Sequence, residues 1–359
     1  MKILVLPGDG IGPEITEAAA LAVTEAAARF GLPLELAHDV VGHESHRRHG
    51  TTVRPELLDQ ARSADGLILG PTASFDFRDE SKGEINPSKF FRKGLDLFAN
   101  IRPARTYPGL PGKVGEFDLV VVRENTEGFY ADRNMEAGNG EILVTPDVAI
   151  SMRRITRPSS LRIAVAAFEL AMQRDRRVTA VHKANVLKVT DGLFLDACQA
   201  VAARYPAVTL DTVIVDAMMA HVVRNPGRFD VVVTTNMFGD ILSDLTAELS
   251  GSLGLGGSLN AGAEHAMAQA AHGSAPDIAG QDVANPFSLV LSAALLLDWH
   301  GRRTSEARYS EAGAAIQQAV AGAIAAGEAT RDVGGGLGTR ATAQALAARI
   351  RAAAPAVAA

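Results

Sequence analysis

Asp240 and Asp244 stand four residues apart in the run NMFGDILSDL. If that run is helical, both carboxylates lie on one face, and like charges at that spacing oppose each other by about 0.2–0.5 kcal/mol. The dipole at a helix N-terminus would offset part of that cost. A cation between them would remove it. Asp216 closes the strand-like run TLDTVIVD and precedes the helical AMMAHVV. Open α/β sheets hold ligands past the carboxyl ends of their strands, and a strand over 231–235 also leads into the Asp240 helix. Three carboxylates at strand ends form an all-oxygen set suited to Mg²⁺ or Mn²⁺, whereas zinc would call for His or Cys.

Lys183, in VTAVHKANVL, stands at a further strand end. The chain has only seven lysines among 35 basic residues, and none after Lys188. A lysine can release its proton where arginine cannot, and beside a metal it can serve as a general base. A plain salt bridge to an aspartate is the alternative. His182 alternates to the other face and reads as structural. Arg92 in PSKFFRKGLDLF, Arg102 closing FANIRP and Arg123 closing LVVVR carry guanidiniums that suit carboxylates. Alternatively, Arg92 pairs with Asp96 and Arg102 caps a turn. Tyr130, in RENTEGFYAD, is one of four tyrosines. It reads as a phenolic proton donor or as a half-buried aromatic. The loop HGSAPDIAG over 272–280 has small residues that let backbone N–H groups reach a phosphate, and Asp277 could accept from ribose hydroxyls. No Lys or Arg occurs between Asn260 and Trp299, which favours NAD over NADP.

The elements that must position these groups follow an α/β rhythm. Strands are expected over 2–6, 66–69, 99–102 (stopped by Pro103), 119–122, 162–165, 178–181, 208–215 and 231–235. Helices are expected over 13–30, 87–98 and from about Gly239, with another in the tail after Gly334. The segment 135–150 reads as a hairpin turning at Asn139-Gly140, either an intersubunit arm or a surface hairpin. The Gly/Ser/Leu-rich stretch 250–262 is a candidate crossing between domains. Gly8, Gly10 and Gly12 miss the G-x-G-x-x-G spacing of a dinucleotide fingerprint.

Composition sets the outer bounds. The chain has 359 residues, long enough for two domains. Its net charge of −6 argues against a nucleic-acid binder. The single cysteine, Cys198, allows no disulfide within the chain and fits a reducing compartment. The apolar runs are too short for a signal peptide or a membrane span. A cytoplasmic enzyme without a membrane partner is expected.

Together these pieces resemble the isocitrate/isopropylmalate dehydrogenase family, the β-decarboxylating hydroxy-acid dehydrogenases. The likeness runs from LPGDGIGPE to GGGLGT near the end. NMFGDILSDL with the downstream GSLGL is its most specific signature. LFANIRPAR, VRENTEGFY, HKANVL, VDAMMAH and HGSAPDIAG all match, in family order.

The resemblance implies a two-domain α/β fold, with a mixed sheet flanked by helices and no standard Rossmann domain. The larger, cofactor-side domain would comprise 1–98 and 251–359. The smaller would comprise 99–250, with 135–150 as the intersubunit arm. It implies a homodimer with shared sites, each completed by the partner's Lys183 and Asp216. Arg92, Arg102, Arg123, Ser88, Lys89 and Asn185 would bind substrate. Asp216, Asp240 and Asp244 would hold Mg²⁺ or Mn²⁺. Lys183, helped by Asp216, would take the hydroxyl proton, and Tyr130 would protonate C3. Ile11, Thr72, His272, Gly273, Ser274, Ala275, Asp277 and Asn285 would hold NAD.

The implied reaction is NAD-dependent oxidative decarboxylation of a 3-substituted (2R)-malate, of the isopropylmalate, isocitrate or homoisocitrate type. Tartrate or D-malate oxidation is the same-class alternative. A non-catalytic regulatory subunit is the alternative of another class, opposed by the presence of Lys183, Tyr130 and all three aspartates. Two departures bear on specificity. Gln269-Ala270-Ala271 stands where many members have Glu-Pro-Val, whose Glu sits near the nicotinamide. Lys89 and Ser88 stand three and four residues before Arg92, where isopropylmalate enzymes are apolar. Lys89 is therefore expected to favour a polar or carboxylated 3-substituent. VRENTEG likewise resembles the isocitrate, homoisocitrate and tartrate branch.

Overall fold

The computed structural model describes residues 1–110, 112–130 and 140–352. The chain divides into two compact units, Met1–Leu95 with Tyr107–Pro111 and Gly251–Ala359, and Asp96–Thr106 with Gly112–Ser250. No described helix is long and apolar enough to cross a membrane.

In the first unit the strands run in the order β2 (Glu35–His38), β1 (Lys2–Leu6), β3 (Gly66–Leu69), β12 (Ala266–Gln269), β11 (Leu259–Ala261). The first four are parallel, and β11 is antiparallel to β12. Helix α1 (Gly12–Phe30) forms because Pro13 suits its first turn and because Ile15, Ala18, Ala19, Ala22, Val23, Ala26 and Ala27 recur at helical spacing. Gly31, in the left-handed region, ends it. Helix α1 packs against α9 (Phe287–Thr304), α10 (Ala307–Ala325) and α11 (Thr339–Ala352). The shorter α2 (His43–His49), α3 (Glu56–Ser63) and α4 (Pro87–Gly94) complete this unit.

In the second unit the order is β4 (Ala99–Arg105), β5 (Asp118–Glu124), β10 (Val231–Thr234), β8 (Arg177–His182), β9 (Thr209–Ile214). All but the antiparallel β4 run parallel. The valine-rich strands bury both faces, as parallel strands between helical layers must. Val120 and Val122 face a core with Ile163, Phe168, Phe194 and Cys198. Those residues come from α5 (Arg157–Ala171) and α6 (Thr190–Ala202). Leu119 and Val121 alternate to the other side, with Met218, Val222, Leu242 and Leu249. Those belong to α7 (Val215–Arg224) and α8 (Asn236–Leu249). The period of two along β5 thus supplies both cores.

Four expectations are corrected. The run 162–165 is not a strand but the middle of α5, which Thr156 caps by accepting from Ser159 N at 3.3 Å. Its buried Ile163, Ala164, Ala167 and Phe168 keep helical spacing, which outweighs the β-branched run. Pro103 does not stop β4. It faces Val120, whose N–H donates instead to Asp230 O on the other side, so the β4–β5 ladder asks nothing of Pro103 there. Helix α4 ends at Gly94 rather than 98, because Asp96 has a φ of +46°. Finally, the hairpin consists of β6 (Glu141–Thr145) and β7 (Val148–Ser151), turning at Pro146-Asp147 rather than at Asn139-Gly140. The rest of that expectation, 135–139, lies outside the described residues.

Candidate active site

Arg123 is the penultimate residue of β5, and the neighbouring β10 leads through Thr235 into α8. Helix α8 approaches closely because Gly239 has no side chain: a Cβ there would lie 2.7 Å from Cβ and Cγ of Arg123. Arg123 is 2% exposed. It donates to Asn236 Oδ1 through Nε at 3.1 Å and Nη2 at 2.7 Å, and through Nη1 to Asp240. Arg102, from β4, donates to Asn100 at 2.6 Å, to Ser243 at 2.8 Å and to Asp244 Oδ1 at 3.0 Å. Its Nη2 lies 3.4 Å from Asp240. Tyr130 donates to the other Asp240 oxygen at 2.5 Å.

Asp240 and Asp244 therefore face one guanidinium from successive turns of α8. Because α8 begins at Asn236, Asp240 lies beyond the cap, and the arginines offset the like charges rather than the helix terminus. The Asp244 side chain is half exposed, yet protein crowding raises its carboxyl above the usual range by desolvation, with Arg102 opposing and Asp240 adding to the rise. Two converging carboxylates with hard oxygen donors and no competing soft ligand fit a divalent cation.

Lys183 follows β8 directly. Its Nζ donates to Asp216 Oδ1 at 2.5 Å, and its backbone N–H donates to Asp191 at 2.5 Å. Asp216 is the second residue of α7 rather than the end of a strand. The hydrogen bond from Lys183 holds its carboxyl below the ordinary value. Asn185 is exposed in the turn after Lys183. His182 is structural, accepting from Ala184 N at 3.0 Å, and burial lowers its pKa. Among the described residues no group of three or more His, Cys, Asp or Glu is arranged to hold a metal. A single chain brings Asp240 and Asp244 together but does not add Asp216.

In the first unit, Asn86 caps α4 by accepting from Lys89 N at 3.1 Å. Gln269, at the end of β12, accepts from Ser88 at 3.1 Å and from Arg92 at 2.9 Å. The carboxamide thus orients Arg92. Lys89 Nζ donates to Glu80 at 2.8 Å. Asp96, beyond the end of α4, is paired with Arg162 at 2.8 Å.

The same unit holds a cavity of about 420 Å³ lined by Ile11, Gly254, His272, Gly273, Ala275, Ile278, Val283, Ala284, Asn285, Arg331 and Asp332. Its loops are tied together: Ile11 N donates to Ser274 O at 2.8 Å, and a Cβ on Gly10 would lie 1.9 Å from that oxygen. Asp332 accepts from Asn285 at 2.9 Å, Ser252 at 2.8 Å and Thr330 at 2.6 Å. Burial holds the His272 imidazole below its usual range. Thr72 shares a hydroxyl contact of 3.0 Å with Ser74. Asp277 is exposed and does not line the cavity. The cavity's size and its few convergent polar groups fit part of a dinucleotide.

Sequence reasoning missed Arg331 and Asp332, although the GGGLGT run begins two residues later. It also missed Asn236 and Ser243, which lie inside the NMFGDILSDL signature and orient the arginines.

The fold is mixed α/β, and the candidate site sets Arg102 and Arg123 against the paired carboxylates of Asp240 and Asp244. The family model for isocitrate/isopropylmalate dehydrogenase matches residues 2–349, so the chain belongs to that family. It is 41% identical over 339 residues to 3-isopropylmalate dehydrogenase of Archaeoglobus fulgidus, covering 94% of this chain and 96% of that one. It is also 41% identical over 346 residues to isocitrate/homoisocitrate dehydrogenase of Thermus thermophilus, covering 96% and 97%. The crystal structure of isocitrate dehydrogenase from Methylococcus capsulatus superposes with a TM-score of 0.86 at 37% identity, covering 98% and 99%.

Proposed function

We propose that the chain is an NAD-dependent, Mg²⁺- or Mn²⁺-dependent enzyme that oxidises and decarboxylates a 3-substituted (2R)-malate with a polar or carboxylated 3-substituent. The observation that carries this reading is the convergence of Asp240, Asp244, Arg102 and Arg123. Carboxylates that hold a cation and guanidiniums that hold an acid's carboxylates are what a malate-type substrate requires. The polar corner formed by Ser88, Arg92 and Gln269, with the Lys89–Glu80 pair on the same helix, supports the polar substituent.

In this mechanism Arg92, Arg102 and Arg123 fix the substrate's carboxylates. Asp240 and Asp244, with the partner's Asp216, would hold the metal, which would supply Lewis-acid polarisation of the substrate's hydroxyl. Lys183, oriented by Asp216, would accept the hydroxyl proton; NAD, which the cavity lined by Ile11, His272, Gly273, Ala275 and Asn285 would hold, would supply the oxidant. The β-keto acid then loses CO₂, and the arginines stabilise the negative charge that develops. Tyr130, held by Asp240, delivers the proton to C3. The dimer reading draws support from the β6–β7 hairpin, which exposes Ile142, Leu143, Val144, Val148 and Ile150.

The test is a panel of isocitrate, homoisocitrate, isopropylmalate, D-malate and tartrate with NAD or NADP and Mn²⁺, following reduced cofactor and CO₂. Carboxylated substrates should be preferred, and a chelator should abolish turnover. A preference for isopropylmalate, undiminished in Lys89→Ala, overturns the substrate class. Turnover indifferent to chelator overturns the metal's role.

A further inference from the structure

Arg153 takes no part in the chemistry above, yet it lies against the first turn of α6, the start of α8 and the loop that leads to Tyr130. The Arg153 side chain is 6% exposed, and its Nη1 lies 2.5 Å from Oδ1 of the wholly buried Asp191. The contact is an ion pair rather than an aligned hydrogen bond. Nη1 also donates to the Thr190 hydroxyl at 2.8 Å, and Nη2 donates to the Thr235 hydroxyl at 3.1 Å. The guanidinium lies 5.5 Å from the Phe129 ring centroid and 5.4 Å from that of Phe238.

Each contact leads to a group with a proposed role. The other Asp191 oxygen accepts the backbone N–H of Lys183. Thr235 is the N-cap residue of α8, and Phe238 lies in its first turn, so both sit just before Asp240. Phe129 precedes Tyr130. The chain beside Arg153 is stitched to that loop by backbone hydrogen bonds between Gly128 and Arg154, at 2.9 and 3.2 Å. A bare cation near the first turns of α6 and α8 would be repelled by both dipoles, and Asp191 offsets this. Compared with well-packed apolar residues, a buried ion pair contributes little net stability. What it can supply is geometry.

We propose that Arg153 and Asp191 are positioning residues, a buried clamp that sets Lys183, the start of α8 and the Tyr130 loop relative to one another. The inference rests on the roles proposed above for Lys183, Asp240 and Tyr130.

The experiment uses the full chain with Arg153→Met, Arg153→Lys, Asp191→Asn and the double variant Arg153→Met/Asp191→Asn. Each is assayed with NAD, Mn²⁺ and the best acid of the panel, and compared in thermal unfolding and in backbone amide exchange. Displacing catalytic groups should lower kcat about ten- to hundredfold, with KM for acid and NAD nearly unchanged. Arg153→Lys should recover part of the loss. The double variant should be no slower than Arg153→Met, because the pair acts as one unit. Exchange at Lys183 and in the first turn of α8 should quicken while the β1–β3 strands are unaffected.

Folded variants with wild-type kcat and unchanged exchange overturn the proposal, as does a double variant whose losses add. If Arg153→Met fails to fold, Arg153→Lys and the double variant, which leaves no orphaned charge, decide the question. A wild-type chain inactive on every acid would instead overturn the proposed function, and exchange alone would then decide the clamp.

Discussion

Lys183 donates its ammonium proton to Asp216 at 2.5 Å, linking the end of β8 to the first turn of α7. The pair lowers the Asp216 carboxyl pKa. By sign, the pair's contribution is present above the ordinary carboxylate range and is lost as pH falls through the depressed value. Near neutrality Asp216 is therefore a ready anion. Lys183→Met should lower kcat by about 10²- to 10⁴-fold, the usual worth of a general base. KM for NAD should be unchanged, because the cavity proposed to take NAD is lined by residues of the other unit. Steady-state kinetics with each substrate varied in turn checks both statements.

Gly239 lets α8 lie directly on Arg123. In Gly239→Ala the added carbon meets the stem of a buried arginine, and overpacking of this kind typically costs about 1–3 kcal/mol. We expect a lower Tm and a raised KM for the acid, with KM for NAD intact. A crystal structure of the variant should show Arg123 or α8 displaced.

Arg331 bears on cofactor choice. The stretch 261–298 has no cation, which argues for NAD, but the fold brings Arg331 into the cavity wall from a later segment. An arginine there could meet a ribose 2′-phosphate. We expect NAD to retain the advantage, by at least about tenfold in kcat/KM, and Arg331→Ala to leave that preference standing. An NADP preference that collapses in Arg331→Ala would reverse the assignment.

How much was legible in the sequence depends on the range of the interaction. Strands β1, β3, β5, β8 and β10 could be read because they are buried on both faces and so appear as apolar runs whatever their partners, whereas the half-exposed β2 and the short β11 and β12 were not. The run 162–165 misled because its β-branched residues resemble a strand until the Thr156 cap and the buried positions at helical spacing are weighed. Asp240 and Asp244 were readable as a pair because four-residue spacing is local. Their neutralisation by Arg102 and Arg123 was not, since it depends on β4, β5 and α8 meeting in space. Arg331 and the Arg153–Asp191 pair escaped notice for the same reason: their partners are distant in sequence.

Cys198 lies in the core between Phe194 and Val201, and burial pushes its thiol up to about 12. An unfolded thiol ionises near 8.5. The native thiol therefore stays neutral while the unfolded one loses its proton, and its contribution to stability falls as pH rises from about 8.5 towards the native value. The fall in urea midpoint between pH 8 and 10 should be smaller in Cys198→Ala than in the parent. Native protein at pH 8 should resist a thiol reagent that titrates one equivalent after denaturation. Rapid labelling of the folded chain would show that Cys198 is not buried.

The most direct test of the divided site is a hybrid dimer. Lys183→Met and Asp244→Asn, each inactive as a homodimer, would be co-expressed with different tags and the heterodimer purified. If Lys183 and Asp216 of one subunit serve Asp240 and Asp244 of the other, one site carries both defects and its twin carries none. The hybrid should then show about half the wild-type kcat per dimer. Activity no higher than that of the parent variants would mean that each chain builds its own site, and the account of a shared centre would be wrong.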